Sequence, residues 1–354
     1  MTMKQEEFIS QPVDVRLSSH DEILEAIDYD QLMSYDHYLI DMSGGKDSQN
    51  LVFALLDLDI QPEQMELHHH LVDGWKEHPL FDWPVIEDYN RKFAEHFGIP
   101  LYFSWREGGI KKEMFRFNSP TAPIRWQNPD GSIGSNRPRT TDKYLRTRMK
   151  YPQVVADLNQ RWCSAYAKID VGTTLIANQH RFRDKKTLVL SGERAEESAA
   201  RKNYKTFEPD RSDLRNGKRY QRHVDRARIV HKFTERQIWD QAKKYRIRPA
   251  PPYEIGWSRL SCRFCIFGSG QQWKTLELIS PDELTMHIEN EREFGLTIKR
   301  KKNIEETIAS ANPLELEGLD DIIKLALSDK YDTPIYVEDW ELPRGAFAKN
   351  FGPS

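Results

Sequence analysis

The sequence predicts an α/β fold, a doubly wound and mostly parallel sheet, on three observations. An apolar strand at 38–42 runs into a glycine loop, Leu51, Val52, Leu55 and Leu56 then recur at helical spacing, and further strand and helix patterns alternate as in βαβ units. The first strand is apolar apart from Asp41, as a strand covered on both faces is. Residues 65–72 read as a second strand, 83–97 as a helix closed by Gly98 and Pro100, and 101–104 as a third strand. From 107 to 151 the periodicity dissolves into a stretch rich in Pro, Gly, Asn, Arg and Thr, which predicts a long surface insertion of the substrate-lid kind. Periodicity resumes near Val154, and 187–191 is a short strand delivering Gly192-Glu193-Arg194 to its carboxyl end, where such sheets gather ligands. Thr234-x-x-Gln237 is a capping box opening a helix to about Tyr245, after which Pro249 to Pro252 end the unit. Ser280-Pro281-Asp282-Glu283 opens another helix by the same logic.

Ahead of the sheet, a helical pattern around 21–33 carries Ile23, Leu24, Ile27 and Leu32, and the tail 331–354 reads as irregular packing. The expected organisation is therefore an N-terminal extension (1–35), a main domain (36–250) with the insertion at about 107–151, and a mainly helical, cysteine-containing region (251–354).

Composition sets outer bounds. With 38% hydrophobic and 30% charged residues and a mean hydropathy of −0.74, the chain is globular with a solvated surface. Apolar runs such as 51–58 are too short to cross a bilayer. Residues 1–10 carry Lys4, Glu6 and Glu7 in place of an apolar leader, so the expected compartment is the cytoplasm. A net charge of −3 gives no global attraction to nucleic acid, so any such contact needs a local patch. Residues 181–232 supply a candidate, with basic residues exceeding acidic ones and Tyr204, Phe207 and Tyr220 interleaved.

The chemistry begins at Ser43-Gly44-Gly45-Lys46-Asp47-Ser48. A glycine turn between a strand and a helix aims several N–H groups and a helix N-terminus at one anion. Ser43 and Ser48 add hydroxyls, Lys46 a positive charge, and Asp47 a carboxylate to orient Mg²⁺ or its waters. The spacing matches neither G-x-x-x-x-G-K-[ST] nor G-x-G-x-x-G. It resembles the SGGxDS PP-loop of the N-type ATP pyrophosphatases, which include adenylating synthetases, thiouridylases and phosphoadenosine-phosphosulfate reductases. Two further segments resemble the reductase branch: Arg161-Trp162-Cys163-Ser164 with Lys168, and Gly192-Glu193-Arg194-Ala195-Glu196-Glu197-Ser198 with Arg201. Arg194 and Arg201 offer forked donors for phosphate, Lys168 a point charge, Ser198 a hydrogen bond, and Glu197 an anchor for an arginine. The resemblance spans much of 43–268 and implies an adenine nucleotide α-hydrolase-like sheet, ATP and Mg²⁺ on the loop, and the nucleotide's adenosine near Asp73.

The cysteines are Cys163, Cys262 and Cys265, an odd number and no disulfide framework. The resemblance predicts that Cys163 faces the Cys262-x-x-Cys265 pair. Three thiolates then suit a [4Fe–4S] cluster with one open iron, whereas four-cysteine relatives use an adjacent Cys-Cys pair where this chain has Trp162. A zinc site or a persulfide relay through Cys163 or Cys265 are the alternatives. His68-His69-His70 lie in the second strand, where only His68 and His70 share a face. The segment 105–109 after the third strand reads as a stacking wall or a packed loop.

The function expected from these residues and the resemblance is an ATP pyrophosphatase that adenylates an acceptor oxygen for sulfur incorporation. DNA phosphate, as in phosphorothioation-type enzymes, is preferred over tRNA, and a cysteine desulfurase is the expected partner, with an oligomer allowed. Reduction of phosphoadenosine phosphosulfate is the competing activity, but typical members carry a cysteine in the C-terminal tail, and 347–354 has none. A nucleotide-sensing regulatory protein that binds ATP without turnover is the third reading.

Overall fold

The computed structural model describes residues 29–349 apart from 139, 156 and 300. Most of the expected helix at 21–33 therefore lies outside the described residues, its end appearing as Tyr29–Met33.

Eight strands form one sheet: β1 (His37–Asp41), β2 (Met65–Leu71), β3 (Leu101–Arg106), β4 (Ile124–Gln127), β5 (Ile133–Ser135), β6 (Lys186–Leu190), β7 (Phe207–Pro209) and β8 (His223–Ala227). Their spatial order is β5-β4-β3-β2-β1-β6-β8-β7. The five central strands, β3 to β8 across β2, β1 and β6, run parallel, and β4, β5 and β7 are antiparallel additions at the edges. The predicted fold class is thus the one observed. The chain winds from β1 to β2 and β3 on one side and returns to β6 and β8 on the other, so the order reverses between β1 and β6. In open α/β sheets a ligand crevice lies outside the carboxyl ends of the strands at such a reversal.

Alternation within β1 explains why both faces are covered. Tyr38 and Ile40 enter a large core that also holds Leu51, Val52 and Phe53 of the helix Lys46–Asp57 and Tyr89 and Phe93 of the helix Ile86–Phe97. Leu39 points the other way, into a second cluster with Val171, Leu175 and Ile176 of the helix Asp170–Asn178. Trp273, Leu276, Leu284 and Leu325 of the C-terminal helices belong to the first core, so residues 251–349 pack onto the sheet layer with no separate interior.

The insertion departs from the expected surface lid. Its hairpin β4–β5 extends the sheet, with Ile124 and Trp126 buried in the second cluster. Val154 opens no helix; regular structure restarts at Trp162, where Trp162–Ser164 and Asp170–Asn178 flank a π-helical turn, Ala165–Ile169. The capping box at Thr234 forms as expected, with Gln237 Oε1 accepting from Thr234 N at 2.9 Å. That at Ser280 does not: the Ser280 hydroxyl accepts from Arg263 instead, at 3.0 Å.

Candidate functional site

The glycine loop leaves β1 and starts the helix Lys46–Asp57 at Gly45, which has no side chain to cap the first turn. The first N–H groups of that turn have no intrahelical acceptor, and that of Lys46 is taken by the Tyr253 hydroxyl at 3.1 Å. Gly44 takes φ +79°, and a Cβ there would lie 2.8 Å from Asn90 Oδ1, so both backbone angle and space require glycine. Ser48 Oγ ties the loop together, lying 3.2 Å from both Ser43 N and Ser43 Oγ and 2.8 Å from Gly45 O.

The second loop, leaving β6, presses directly on the first. A Cβ on Gly192 would lie 2.9 Å from the Asp47 carbonyl carbon. Arg194, almost wholly buried, donates from Nε to Asp47 Oδ1 at 2.5 Å and from one terminal nitrogen to Glu196 and Phe233 O. Burial pushes the Asp47 carboxyl up, but Lys46 and Arg194 outweigh it and hold Asp47 below the ordinary carboxylate range. Glu197 anchors this loop as expected, accepting from Arg194 N at 2.9 Å and pairing with Arg201 and with Arg259. Ser198 Oγ accepts from Arg201 N at 3.4 Å. The two expected phosphate-binding segments are therefore brought together at the strand-order reversal.

Lys46 does not sit where the sequence placed it. It is 4% exposed, and its Nζ donates to Ser258 O at 3.1 Å, lies 3.4 Å from Glu235, and approaches the rings of Trp239 and Tyr253. The side chain clasps the helix Glu235–Lys244 and the segment after it, in place of reaching into an open phosphate site. Tyr253 completes the clasp, its hydroxyl accepting from Lys46 N at 3.1 Å and Leu260 N at 3.2 Å. Neither Tyr253 nor Arg259 was legible as a site residue, because their partners Lys46, Asp47 and Glu197 lie far from them in sequence.

The clasp brings the cysteine segment alongside. Leu260 would meet a Cβ on Gly45 at 3.4 Å, and Cys262 and Cys265 follow it. All three thiols are free and act on the same ammonium, that of Lys168. Burial works against the Lys168 charge, but Cys262, Asp82, Cys163 and Cys265 outweigh it and hold the group above the ordinary lysine value. Lys168 is nonetheless exposed to solvent. It sits in the π-helical turn, a deviation that recurs at functional sites. Burial pushes the Cys163 thiol up, and Cys265 adds to it; burial pushes Cys262 well above the ordinary thiol range. Cys163 thus shares a charge environment with Cys262 and Cys265.

A metal does not fit this arrangement. Among the described residues no three His, Cys, Asp or Glu side chains converge as a cation cage, and the group central to the thiols is itself a cation. Neither the [4Fe–4S] cluster nor zinc finds its ligand set here. Asp73 follows β2, two residues after Leu71. Its buried carboxylate accepts from Phe81 N and Asp82 N and shapes the loop after β2, and burial pushes it up to about 7. His69 donates from Nδ1 to Met42 O, 2.8 Å away, while His68 and His70 share the opposite face as expected, next to Glu66 and Ser104. The segment 105–109 is packed: Trp105 stacks on Trp75, and Arg106 is buried against Tyr166.

The arginines of 181–232 are largely committed inside the protein. Arg181 pairs with Glu66, Arg215 with Asp213 and Asp225, Arg226 with Asp41 and Asp210, and Arg228 with Glu193 and Glu208. No helix among the described residues is long and apolar enough to cross a membrane.

No protein-family model matches the chain, and no curated protein matches it. Solved structures of Candida glabrata FMN adenylyltransferase are similar to it over most of both chains. The complex with FMN and an ATP analogue is 13% identical at a TM-score of 0.41, covering 96% of this chain and 95% of that one. The complex with FAD and inorganic pyrophosphate is 12% identical at 0.41, covering 93% and 88%. Likenesses of that size carry no argument about chemistry, which rests on the site itself.

Proposed function

We propose that the chain binds ATP on the loop 43–48, splits it between the α- and β-phosphates, and transfers the adenylyl group to an oxygen of an acceptor. The observation that supports this is the meeting of the loops leaving β1 and β6, closed by the 2.5 Å Asp47–Arg194 pair at the reversal of strand order. The acceptor oxygen attacks the α-phosphorus, the bond to the bridging oxygen breaks, and pyrophosphate leaves with the electron pair. First-turn N–H groups stabilise the charge that develops on it. Mg²⁺ enters with the nucleotide, since it is usually held by one or two carboxylates together with phosphate oxygens and water. Asp47 Oδ2 lies outside the Arg194 bond and would be its ligand on this chain. Bound there, the ion would neutralise phosphate charge.

Sulfur incorporation is the fate we assign to the adenylate, because the three free thiols share the charge environment of Lys168 and Leu260, two residues before Cys262, packs against the loop at Gly45. Cys265 takes a persulfide from a cysteine desulfurase; its outer sulfur displaces AMP from the acceptor, and Cys163 attacks the resulting mixed disulfide. The thiolated acceptor leaves, and a dithiol reductant restores the Cys163–Cys265 disulfide to thiols. A DNA phosphate is the preferred acceptor and a tRNA base the other.

The test is pyrophosphate release from ATP by the wild type and by Asp47→Asn. The expected loss is roughly 100-fold. Release of orthophosphate in place of pyrophosphate, or full turnover by Asp47→Asn, would overturn the assignment.

A further inference from the structure

A cavity of about 480 Å³ opens between the insertion and the helical segment that carries Cys163, within the size range of ligand pockets. Its walls hold six Arg and Lys residues against two carboxylates, Glu113 and Asp170. Both carboxylates are committed: Glu113 accepts from Arg116 at 3.0 Å and from Arg148 at 2.6 Å, and Asp170 lies 3.6 Å from Arg106. The remaining charge is carried by Arg137, Lys143 and Arg146, all exposed. Half-buried Tyr144 stands among them, with Lys143 Nζ 4.9 Å from its ring centre. Cations flanking an aromatic ring are the equipment of single-strand binding, in which phosphates meet the charges and bases stack on the rings.

The cavity also adjoins the chemistry. Arg148 lies 4.4 Å over the ring of Trp162, the residue before Cys163, and Tyr166, two residues before Lys168, faces the cavity. We infer that this cavity receives a single-stranded nucleic acid, its phosphates on Arg137, Lys143 and Arg146 and a base on Tyr144. That the strand is the acceptor rests on the adenylation reading; that it binds does not.

The experiment is fluorescence anisotropy of the full chain with a labelled single-stranded DNA or RNA oligonucleotide, without ATP, across a salt series. Binding of either strand by the wild type is expected, weakening steeply with salt. The triple variant R137A/K143A/R146A should bind at least tenfold more weakly with the salt slope reduced by about 2, three lost phosphate contacts at roughly 0.7 each. Tyr144→Ala should cost about fivefold or more. Thermal melting of the triple variant should match the wild type, because its three side chains are exposed. Absence of strand binding by the wild type at low salt overturns the inference, as does an unchanged affinity and slope in a triple variant that melts normally. Because no nucleotide is present, failure here leaves the Asp47→Asn result standing, and failure there leaves this one.

Discussion

Gly192→Ala tests the contact on which the ATP site is built. A Cβ at this position would lie 2.9 Å from the carbonyl carbon of Asp47, 3.0 Å from its oxygen and 3.1 Å from its Cβ. Ordinary carbon contacts begin near ~3.5 Å, so one loop must retreat by about 0.6 Å from the 2.9 Å position. The two nearest atoms are backbone, so no side-chain rotation relieves the clash. Overpacking of this kind costs about 1–3 kcal/mol, which lowers the melting midpoint by roughly 1–4 °C in a chain of this size. The functional effect should be larger than the loss of stability suggests, because the retreat separates Asp47 from Arg194 across a bond only 2.5 Å long. Displacements near 1 Å cost up to ~100-fold in rate, so pyrophosphate release should fall at least tenfold at temperatures where the variant is fully folded. The assays are calorimetry for the midpoint and pyrophosphate release from ATP for the site. A variant that melts and turns over like the wild type would show that the two loops are not held against each other, and the proposed site would lose its frame.

Two further outcomes are expected. Asp73 is raised by burial from 3.8 to about 7, so its protonated form stabilises the fold, fully below the unfolded value near 4, and that stability is lost as pH rises through 7. Asp73→Asn should abolish this fall, on the order of 4 kcal/mol at most, and a pH–stability curve from 4 to 8 that is identical in both proteins would refute it. Lys299, lowered to about 8 by burial, donates to Ile266 O and Gly268 O, so Lys299→Ala should cost about 1–3 kcal/mol of stability, read by thermal melting. An unchanged midpoint would show that these two bonds do not hold the segment after Cys265.

The parts of the fold legible in the sequence are those whose side chains are sorted by burial alone. β1, β3 and β6 are mostly apolar runs because both of their faces are covered. β8, His-Val-Asp-Arg-Ala, gave no such signal, because Asp225 and Arg226 face internal partners: Tyr35, Arg215 and His223 for one, Asp41 and Asp210 for the other. The β4–β5 hairpin did leave a trace. Ile124 and Trp126 alternate with polar residues and precede Asn128-Pro129-Asp130-Gly131, a strand and turn signature obscured by the Pro- and Arg-rich stretch around it. Ser280 shows the opposite failure, a correct cap residue at a correct position whose hydroxyl is claimed by a buried arginine from another segment.

The same distinction governs charge. Residues 181–232 and 116–148 are both rich in arginine, and composition alone favours the first as a phosphate-binding surface. In the folded chain the first set closes on carboxylates that come from β1, β2, β7 and β8, and so holds the far side of the sheet together. An arginine paired with a carboxylate already has its charge compensated, and freeing it for a ligand means breaking the pair, which is strongly unfavourable where the pair is buried. Exposed cations beside a tyrosine, with the neighbouring carboxylates already occupied, keep both charge and donors for an incoming phosphate. What selects the site is therefore the charge left over after folding, and in this chain that surplus stands on the rim of the insertion, next to the helix that carries Cys163 and Lys168.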